Sequence, residues 1–343
     1  MKKTLVLILL VWGSVTVSQG QGKEKYHLGS IAFYNVENLF DTIDDPEKRD
    51  EEYTPEGRRN WTTIRYHKKL QNLARVLSKL AGGDAPSIIG LCEVENKQVV
   101  EDLVKTGGLK KYNYKIVHYS SPDRRGIDVA LIYRPEYFAP TFSKSYRLTD
   151  KTNPRFITRD QLLVKGKFDG DDIHFIVNHW PSRGGGQKRS EPRRIKAATL
   201  TRSIADSLLD ADKNAKIVIM GDLNDNPNDK SLTKVLKASG KKPKGKNLYN
   251  AMLPLYKKGI GSLAYRDQWY LFDQIIMSKG LVMAKKYSYK YVPKSARVFA
   301  PKLLKQRGGK YEGYPLRTFG GRTYLGGYSD HFPVYIFIAK QVK

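Results

Sequence analysis

Short apolar runs that end in polar residues recur along this chain and predict its strands. Ile31–Tyr34 leads into Asn35–Asn38, and Ile217–Met220 leads into Gly221–Asn224. β-Branched and aromatic residues favour strands, whereas Gly, Asn and Asp favour turns, so each run is typical of a buried strand that ends in a loop. Residues two apart in an extended backbone face the same side, which predicts that the two polar side chains of the second loop stand together. Taken alone, that loop is explained more simply as an ordinary turn.

Apolar spacing also predicts hairpins and helices. The hairpins join Tyr112–Tyr119 to Asp128–Tyr133 and Gln161–Phe168 to Ile173–Val177. The helices are predicted over Thr62–Leu80, where apolar residues recur at helical spacing, and over Arg193–Asp210. Hairpins with a few helices between them predict an α/β (α+β) fold with mostly antiparallel sheets. The number of core strands allows two packed sheets with helices outside.

The N-terminus has the layout of a secretory signal peptide. A cationic start at Met1–Lys3 precedes the apolar run Thr4–Trp12, and small and polar residues follow up to Gly20. We therefore predict a signal peptide at 1–20 and an exported protein, periplasmic or secreted. The apolar run is too short for a transmembrane helix, so no integral membrane segment is expected after cleavage. Residues 21–343 are predicted to form a single domain, because no repeat or linker interrupts them.

The chain is strongly basic, with a formal net charge of +27. Such an excess favours nucleic acid or another phosphate-rich polyanion as the partner. Basic residues alternate with tyrosines around 285–325, which is therefore predicted to be an insertion in the domain. This composition suits a groove that follows a nucleic-acid backbone and stacks its bases. A solvated insertion that tyrosines attach to the domain explains it equally well.

Six predicted strand ends carry groups suited to acid–base or metal chemistry. They are Asn35 with Glu37, Glu93, His179, Asp222 with Asn224, Asp273, and Asp330 with His331. Each has a structural explanation by itself, such as a surface carboxylate or a core histidine. Because a sheet places strand ends side by side, six of them in one chain favour a common site.

The residue types indicate the chemistry of that site. The sequence has no HExxH motif, no G-x-S-x-G elbow and no GxxxxGK[ST] phosphate loop. Carboxylates and amide oxygens prefer hard cations, so Mg²⁺ is the expected cofactor, with Mn²⁺ as an alternative. The histidines add groups that titrate near neutral pH. A metal, a carboxylate and an imidazole are together what phosphodiester hydrolysis requires.

These residues, in this order, resemble the motifs of the endonuclease/exonuclease/phosphatase superfamily. The matching segments are Tyr34–Asn38, Leu91–Glu93, Val177–His179, Gly221–Asn224, Phe272–Asp273 and Ser329–Pro333. The superfamily includes pancreatic-type deoxyribonucleases, abasic-site endonucleases, sphingomyelinases and inositol-polyphosphate phosphatases. The Asn178–Gly185 segment is most similar to its exported bacterial branch. The resemblance implies a deoxyribonuclease-like, two-sheet β-sandwich flanked by helices, with the site at one end.

The resemblance also implies a metal site. Glu93 matches the principal metal carboxylate of the family, and Asn35, close beside it, is a further predicted residue of the metal site. Asp330 matches a further acidic residue near the metal. Glu37 is an additional candidate ligand, at a position where some relatives have Asp two residues after the first Asn.

Catalytic roles follow from the same resemblance. Asp222 would orient and deprotonate the attacking water, and Asn224 would hold a phosphate oxygen. His331 would donate to a non-bridging oxygen, with Asp273 fixing its tautomer and charge. His179 would contact the phosphate or help the leaving group. Asn178 and Arg183 are the candidate substrate-binding residues.

The predicted function is therefore that of an exported, divalent-metal-dependent phosphodiesterase, and the charge favours a nuclease. A phospholipid or small phosphate-ester hydrolase, similar to the sphingomyelinases or inositol phosphatases, is the alternative. A third hypothesis is a non-catalytic module that binds polyanions. It is disfavoured because every matched position keeps a usable group.

Overall fold

The computed structural model describes residues 24–342, so the predicted signal peptide at 1–20 lies outside the described residues. The first strands are β1 (Tyr26–Leu39), β2 (Ile88–Val94), β3 (Lys115–His118), β4 (Asp128–Tyr133), β5 (Phe138–Tyr146), β6 (Gln161–Phe168), β7 (Asp171–His179) and β8 (Lys216–Asp222). The later ones are β9 (Ala238–Ser239), β10 (Leu248–Asn250), β11 (Leu263–Tyr265), β12 (Gln268–Tyr270), β13 (Asp273–Met277), β14 (Lys290–Tyr291), β15 (Arg297–Val298), β16 (Phe319–Gly320), β17 (Thr323–Tyr324) and β18 (Val334–Gln341).

Two seven-stranded sheets contain most of these strands. The first has the order β14-β18-β1-β2-β4-β3, with β15 also paired to β18, and the second has the order β5-β6-β7-β8-β13-β10-β9. The remaining strands form the hairpins β11–β12 and β16–β17. Parallel pairing joins β1 to β2, β7 to β8 and β9 to β10, and the other pairs described in the two sheets are antiparallel. The two mostly antiparallel sheets confirm the predicted fold class.

The sandwich core lies between the two sheets. Phe33 of the first sheet and Phe175 and Met220 of the second are fully buried in it. The residues that alternate with them face away from this core and are buried as well, such as Tyr34 and Ile219. Because both faces of these strands are covered, their sequences are continuous apolar runs instead of alternating ones.

Helices flank the sandwich. They are α1 (Thr63–Leu77), α2 (Leu80–Gly83), α3 (Lys97–Val104), α4 (Gln187–Ala211), α5 (Leu253–Tyr256) and α6 (Lys279–Val282). Helices α1 and α3 pack on the first sheet, and α4 packs on the second. Within residues 24–342, each helix is too short or too polar to cross a membrane.

Both predicted helices are present, with different ends. Helix α1 stops at Leu77 instead of Leu80, and α4 starts at Gln187 instead of Arg193. The expected start of α4 was wrong. Proline usually lies near the start of a helix, but Pro192 lies inside this one. The buried Arg194 donates to the Gln187 carbonyl at 3.0 Å and to Ser190 Oγ at 2.8 Å. These bonds hold the turns that precede the proline.

Candidate active site

Strand register places three of the predicted catalytic residues in one row. At one end of the second sheet, His179 of β7 lies opposite Asp222 of β8, and Asp222 lies opposite Asp273 of β13. All three are buried. Paired strands are about 5 Å apart, so this register puts the three side chains within reach of one another.

Gly221 allows β7 and β8 to approach closely at this end. A Cβ on Gly221 would lie 2.3 Å from the carbonyl oxygen of Asn178. The strand continues through Gly221 to Asp222, so the glycine is needed for close packing and the expectation that it starts the turn was wrong. Asn224 has a positive φ of 50°, so the backbone is no longer extended there. Its backbone N–H instead donates to Asp222 Oδ1 at 3.0 Å, and its Nδ2 donates to the Trp180 carbonyl at 3.0 Å.

The first sheet contributes Asn35 and Glu93. Asn35 of β1 pairs with Cys92 of the parallel strand β2, which puts Glu93 next to it. Asn35 Nδ2 donates to Glu93 Oε1 at 3.3 Å and to Asp222 Oδ2 at 3.1 Å. Asn35 Oδ1 accepts from the Glu37 N–H at 2.9 Å. Asn35 therefore directs its donor to the two carboxylates and holds them in place, while its oxygen accepts from the backbone of Glu37.

Four non-glycine residues of the site have left-handed backbones. Glu37, Asn38, Glu93 and Asn224 have φ of 52°, 52°, 63° and 50°. Such conformations cost on the order of 1–3 kcal/mol each and are found mostly where surrounding structure enforces them. At Glu93 the strain turns the carboxylate so that Oε2 accepts the Asn38 N–H at 3.0 Å. The strained positions therefore coincide with the residues that shape the site.

His331 and Asp273 form a tight buried pair. His331 Nδ1 lies 2.6 Å from Asp273 Oδ2, and Ser262 Oγ donates to the same oxygen at 2.5 Å. Burial by itself lowers the pKa of His331, but the carboxylates of Asp273, Asp222 and Asp330 outweigh it and hold that pKa well above its usual value. His331 is therefore a charged imidazolium at neutral pH, with Nε2 3.9 Å from Asp222 Oδ2.

His179 has the opposite charge state. Burial, together with the positive charges of Arg159, Arg125 and His331, holds the pKa of His179 well below its usual value. Its Nε2 lies 3.6 Å from Asp222 Oδ2 and 3.8 Å from Glu93 Oε1. The site therefore contains one neutral and one charged imidazole, which suits them to different tasks.

Asp222 lies between these two histidines. Burial raises its pKa to about 7, with Asp273 and Glu93 adding to the rise and His331 opposing it. A carboxylate whose pKa is near the working pH can take up and release a proton readily. Asp222 therefore has the position and the proton affinity of a general base.

Glu37 does not fit the additional metal role predicted for it. Its Oε2 accepts the Thr318 N–H at 2.6 Å and lies 3.9 Å from Lys69 Nζ, and its Oε1 accepts from Arg317 Nε at 3.3 Å. The Thr318 N–H and two cations, Arg317 and Lys69, thus already surround this carboxylate. Glu37 attaches the 302–328 part of the chain to β1.

Asp330 is the most exposed acidic residue among the predicted ligands, with 34% of its side chain accessible. Its Oδ2 accepts from Arg317 at 3.0 Å, and its Oδ1 lies 4.0 Å from His331 Nε2. That arrangement is consistent with a ligand or a water-mediated contact.

The two candidate substrate-binding residues have structural contacts. Asn178 is fully buried, and its side chain bonds to Trp180, to Thr201 and to two strand carbonyls, so the predicted substrate contact was wrong. Arg183 donates to the Asn224 carbonyl at 2.9 Å and to Asp229 at 2.6 Å. Its guanidinium therefore holds the loop that carries Asn224.

The donors at this end of the sandwich fit a hard divalent cation. Within the described part of the chain, Asp222, Asp273 and His331 offer ligand atoms within 4.8 Å of one another. Asp273 Oδ2 and His331 Nδ1 are bonded to each other, so Glu93 and Asp330 are the better candidate ligands. Glu93 accepts two hydrogen bonds, whereas a carboxylate has about four lone-pair positions. Oxygen donors of this kind suit Mg²⁺ or Mn²⁺.

Sequence reasoning missed three residues that support the site: Ser262, Arg317 and Lys69. Lys69 is buried and donates to Thr318 Oγ1 and to the Tyr328 carbonyl, both at 2.7 Å. The sequence did indicate that Lys69 is buried, because it lies at helical spacing on the apolar stripe of α1 that includes Tyr66 and Leu73. Ser262 and Arg317 act through long-range contacts, and nothing in their local sequence marks them.

The fold and this arrangement agree with comparisons to known proteins. Residues 30–340 match the model of the endonuclease/exonuclease/phosphatase family, and the chain belongs to that family. A humanized TDP2 from D. rerio has a similar structure, with TM-score 0.57 and 16% identity over 91% of this chain and 98% of that one. The chain is therefore a phosphoester hydrolase of a family whose enzymes depend on divalent metals.

Two proteins from Bacteroides thetaiotaomicron share the fold. One is an endonuclease/exonuclease/phosphatase family protein, with TM-score 0.55 and 15% identity over 93% of this chain and 97% of that one. The other is a mannosyl-6-phosphatase, with TM-score 0.54 and 15% identity over 90% of this chain and 99% of that one. None of the curated proteins matches the chain significantly.

Proposed function

We propose that this protein is an exported, Mg²⁺-dependent nuclease that hydrolyses phosphodiester bonds of nucleic acid. The observation that carries the hydrolytic chemistry is the position of Asp222, a carboxylate of raised pKa held between a charged and a neutral imidazole. The net charge of +27 supports a polyanionic substrate. Export rests on the signal-like N-terminus.

The residues divide the reaction among them. Asp222 accepts the proton of the attacking water, and Asn35 keeps its carboxylate oriented. His331, charged and fixed by Asp273, donates a hydrogen bond to the oxygen that gains charge in the transition state. Asn224 and the neutral His179 hold the phosphate from the other side. Mg²⁺ bound by Glu93 and Asp330 would neutralise the phosphate and stabilise the developing charge.

A single-stranded substrate has some support from the relatives. One structure of D. rerio TDP2, at TM-score 0.57 and 16% identity, is a complex with a single-stranded DNA product. The second candidate function, hydrolysis of a small phosphate ester, is favoured by the mannosyl-6-phosphatase of similar fold. A small polar cavity of ≈ 230 Å³ next to Glu37, lined by Arg59 and Arg317, would suit a compact anion.

A substrate panel separates these functions. Purified protein is incubated with plasmid, single-stranded DNA, RNA and mannose 6-phosphate, each with Mg²⁺ and with EDTA. We expect Mg²⁺-dependent cleavage of nucleic acid that Asp222→Asn abolishes and that Asp172→Asn, an exposed carboxylate elsewhere on the surface, leaves intact. Phosphate release from the sugar with no nucleic-acid cleavage would favour the second candidate.

A further inference from the structure

A groove of ≈ 780 Å³ opens beside the active site and reaches Asp330. The β11–β12 hairpin contributes to one wall, and residues of the 306–325 segment form the other. Arg317 lines the groove and donates to both Glu37 and Asp330, at 3.3 Å and 3.0 Å. The groove is therefore continuous with the site at which the phosphate is cleaved.

Two tyrosines expose their rings in this groove. Tyr265 is 58% exposed and Tyr311 is 48% exposed. A cation lies near each ring, because the Arg266 guanidinium is 5.3 Å from the Tyr265 ring centre and Lys310 Nζ is 5.7 Å from that of Tyr311. Aromatic platforms flanked by basic residues are what proteins use to bind single-stranded nucleic acid.

Other tyrosines of the same region stabilise the fold instead. Tyr314 accepts the Asp267 N–H at 2.8 Å and donates to Asp267 Oδ1 at 2.7 Å, which ties the two walls together. Tyr289 is buried and packs edge-on against Phe168 at 4.9 Å. Tyr314 and Tyr289 thus fit the structural explanation of the 285–325 composition. Tyr265 and Tyr311 are the exposed pair that faces the groove.

The hairpin wall is fixed relative to the catalytic groups. Ser262, directly before β11, donates to Asp273, the partner of His331. The Phe332 N–H donates to the Ser262 carbonyl at 2.7 Å, and the Trp269 ring of β12 stacks on Phe332 at 6.1 Å. A ligand in the groove is therefore held at a defined distance from the reacting phosphate.

We infer that this groove binds a nucleobase of a single-stranded substrate, next to the scissile phosphate. The inference deepens the proposed nuclease function and rests on it. The rings of Tyr265 and Tyr311 stack on the base, and Arg266 and Lys310 contact the adjoining phosphates. A base inside a duplex is stacked on its neighbours and does not offer its faces, so the groove selects single strands or extruded bases.

The test compares two substrates of equal charge. One is fluorescein-labelled octathymidylate, and the other is a strand of the same length made of abasic tetrahydrofuran nucleotides. Stacking on aromatic residues is worth about 1–3 kcal/mol per base, so we expect wild-type kcat/KM to be roughly 5-fold to 150-fold higher for the base-containing strand. In Tyr265→Ala/Tyr311→Ala, we expect this ratio to fall close to one.

Two control variants define what is measured. Tyr265→Phe/Tyr311→Phe keeps the rings and should keep the wild-type ratio. Tyr26→Ala removes a tyrosine that is 54% exposed at the far end of β1, and it should also keep the ratio. A wild-type ratio of one, or an unchanged ratio in the double alanine variant, would contradict base binding in the groove while leaving the nuclease function intact. Cleavage of neither strand by the wild type would contradict the nuclease function and, with it, this inference.

Discussion

Asn35 of the first sheet donates a hydrogen bond to Asp222 of the second sheet, over 3.1 Å. The same amide nitrogen contacts Glu93 at 3.3 Å, so one side chain links the candidate base to the principal candidate metal ligand. The bond crosses the interface between the two sheets. The geometry of the site therefore depends on how the sheets pack together.

Removing this link should reduce activity without unfolding the protein. We expect Asn35→Ala to lower kcat/KM by roughly 10- to 100-fold, the usual effect of losing a residue that orients metal ligands. The Mg²⁺ concentration needed for half-maximal rate should rise as well. Steady-state kinetics over a Mg²⁺ titration measures both. Asn214→Ala, on the surface before β8, is the matched control, and equal activity of the two variants would contradict the role.

Ser262 should act through Asp273 and His331. Its hydroxyl donates to Asp273 at 2.5 Å. This bond orients the carboxylate that favours the protonated form of His331. We expect Ser262→Ala to lower kcat about 10-fold with little change in KM, and Ser262→Thr to retain most of the activity. The exposed Ser203→Ala in α4 serves as the control. A change confined to KM would indicate a substrate contact instead of a positioning role.

Lys69 should be important for stability because it is a buried cation. Its Nζ lies 3.9 Å from Glu37 and donates to Thr318 and Tyr328. Breaking a buried ion pair by removing one partner costs about 3–5 kcal/mol, so Lys69→Met should lower the free energy of unfolding by that order. Urea unfolding measures the loss.

Two further variants test that explanation. Lys68→Met changes the exposed neighbour and should have little effect. Adding Glu37→Gln to Lys69→Met should restore part of the stability, because it removes a buried negative charge that has lost one of its two cations. Additive losses in the double variant would show that the two residues do not interact.

Asp171 should make stability depend on pH. Burial by itself raises its pKa, but Lys216 at 2.6 Å, Ser288 Oγ at 2.7 Å and the Tyr289 N–H at 2.7 Å outweigh it and lower the pKa from 3.8. The ionised form is thus favoured in the fold, so its stabilisation is present above 3.8 and is lost as the pH falls through the folded-state pKa.

Asp171→Asn should therefore destabilise the protein at pH 7 by about 2 kcal/mol, the order expected for hydrogen bonds to a charged group. The difference from wild type should shrink in urea unfolding below about pH 4. Asp172→Asn is the matched control, because that neighbour is 62% exposed and pairs only with Lys167 among the salt bridges described. An Asp171→Asn effect that is independent of pH would contradict the assignment.

Local sequence was sufficient for the strands and for the chemical types at their ends. The apolar run Ile217–Met220 correctly predicted a buried strand. His331, Asp273 and Glu93 could be recognised as a hydrolytic set from their order and residue types. Local sequence was insufficient for Asn178, whose amide looked available for substrate but is enclosed by Thr201 and Trp180. Burial of a polar side chain depends on what packs over it.

The sequence by itself determined the two-sheet sandwich and the residue types of a metal-dependent phosphoesterase, because strand periodicity and motif order are local properties. Only the tertiary structure decided which charges these groups carry. His331 is charged and His179 neutral because of what surrounds each ring, and Glu37 is bound by Arg317, which lies 280 residues away along the chain. Charge state depends on burial and on neighbouring charges in space, which a one-dimensional pattern does not contain.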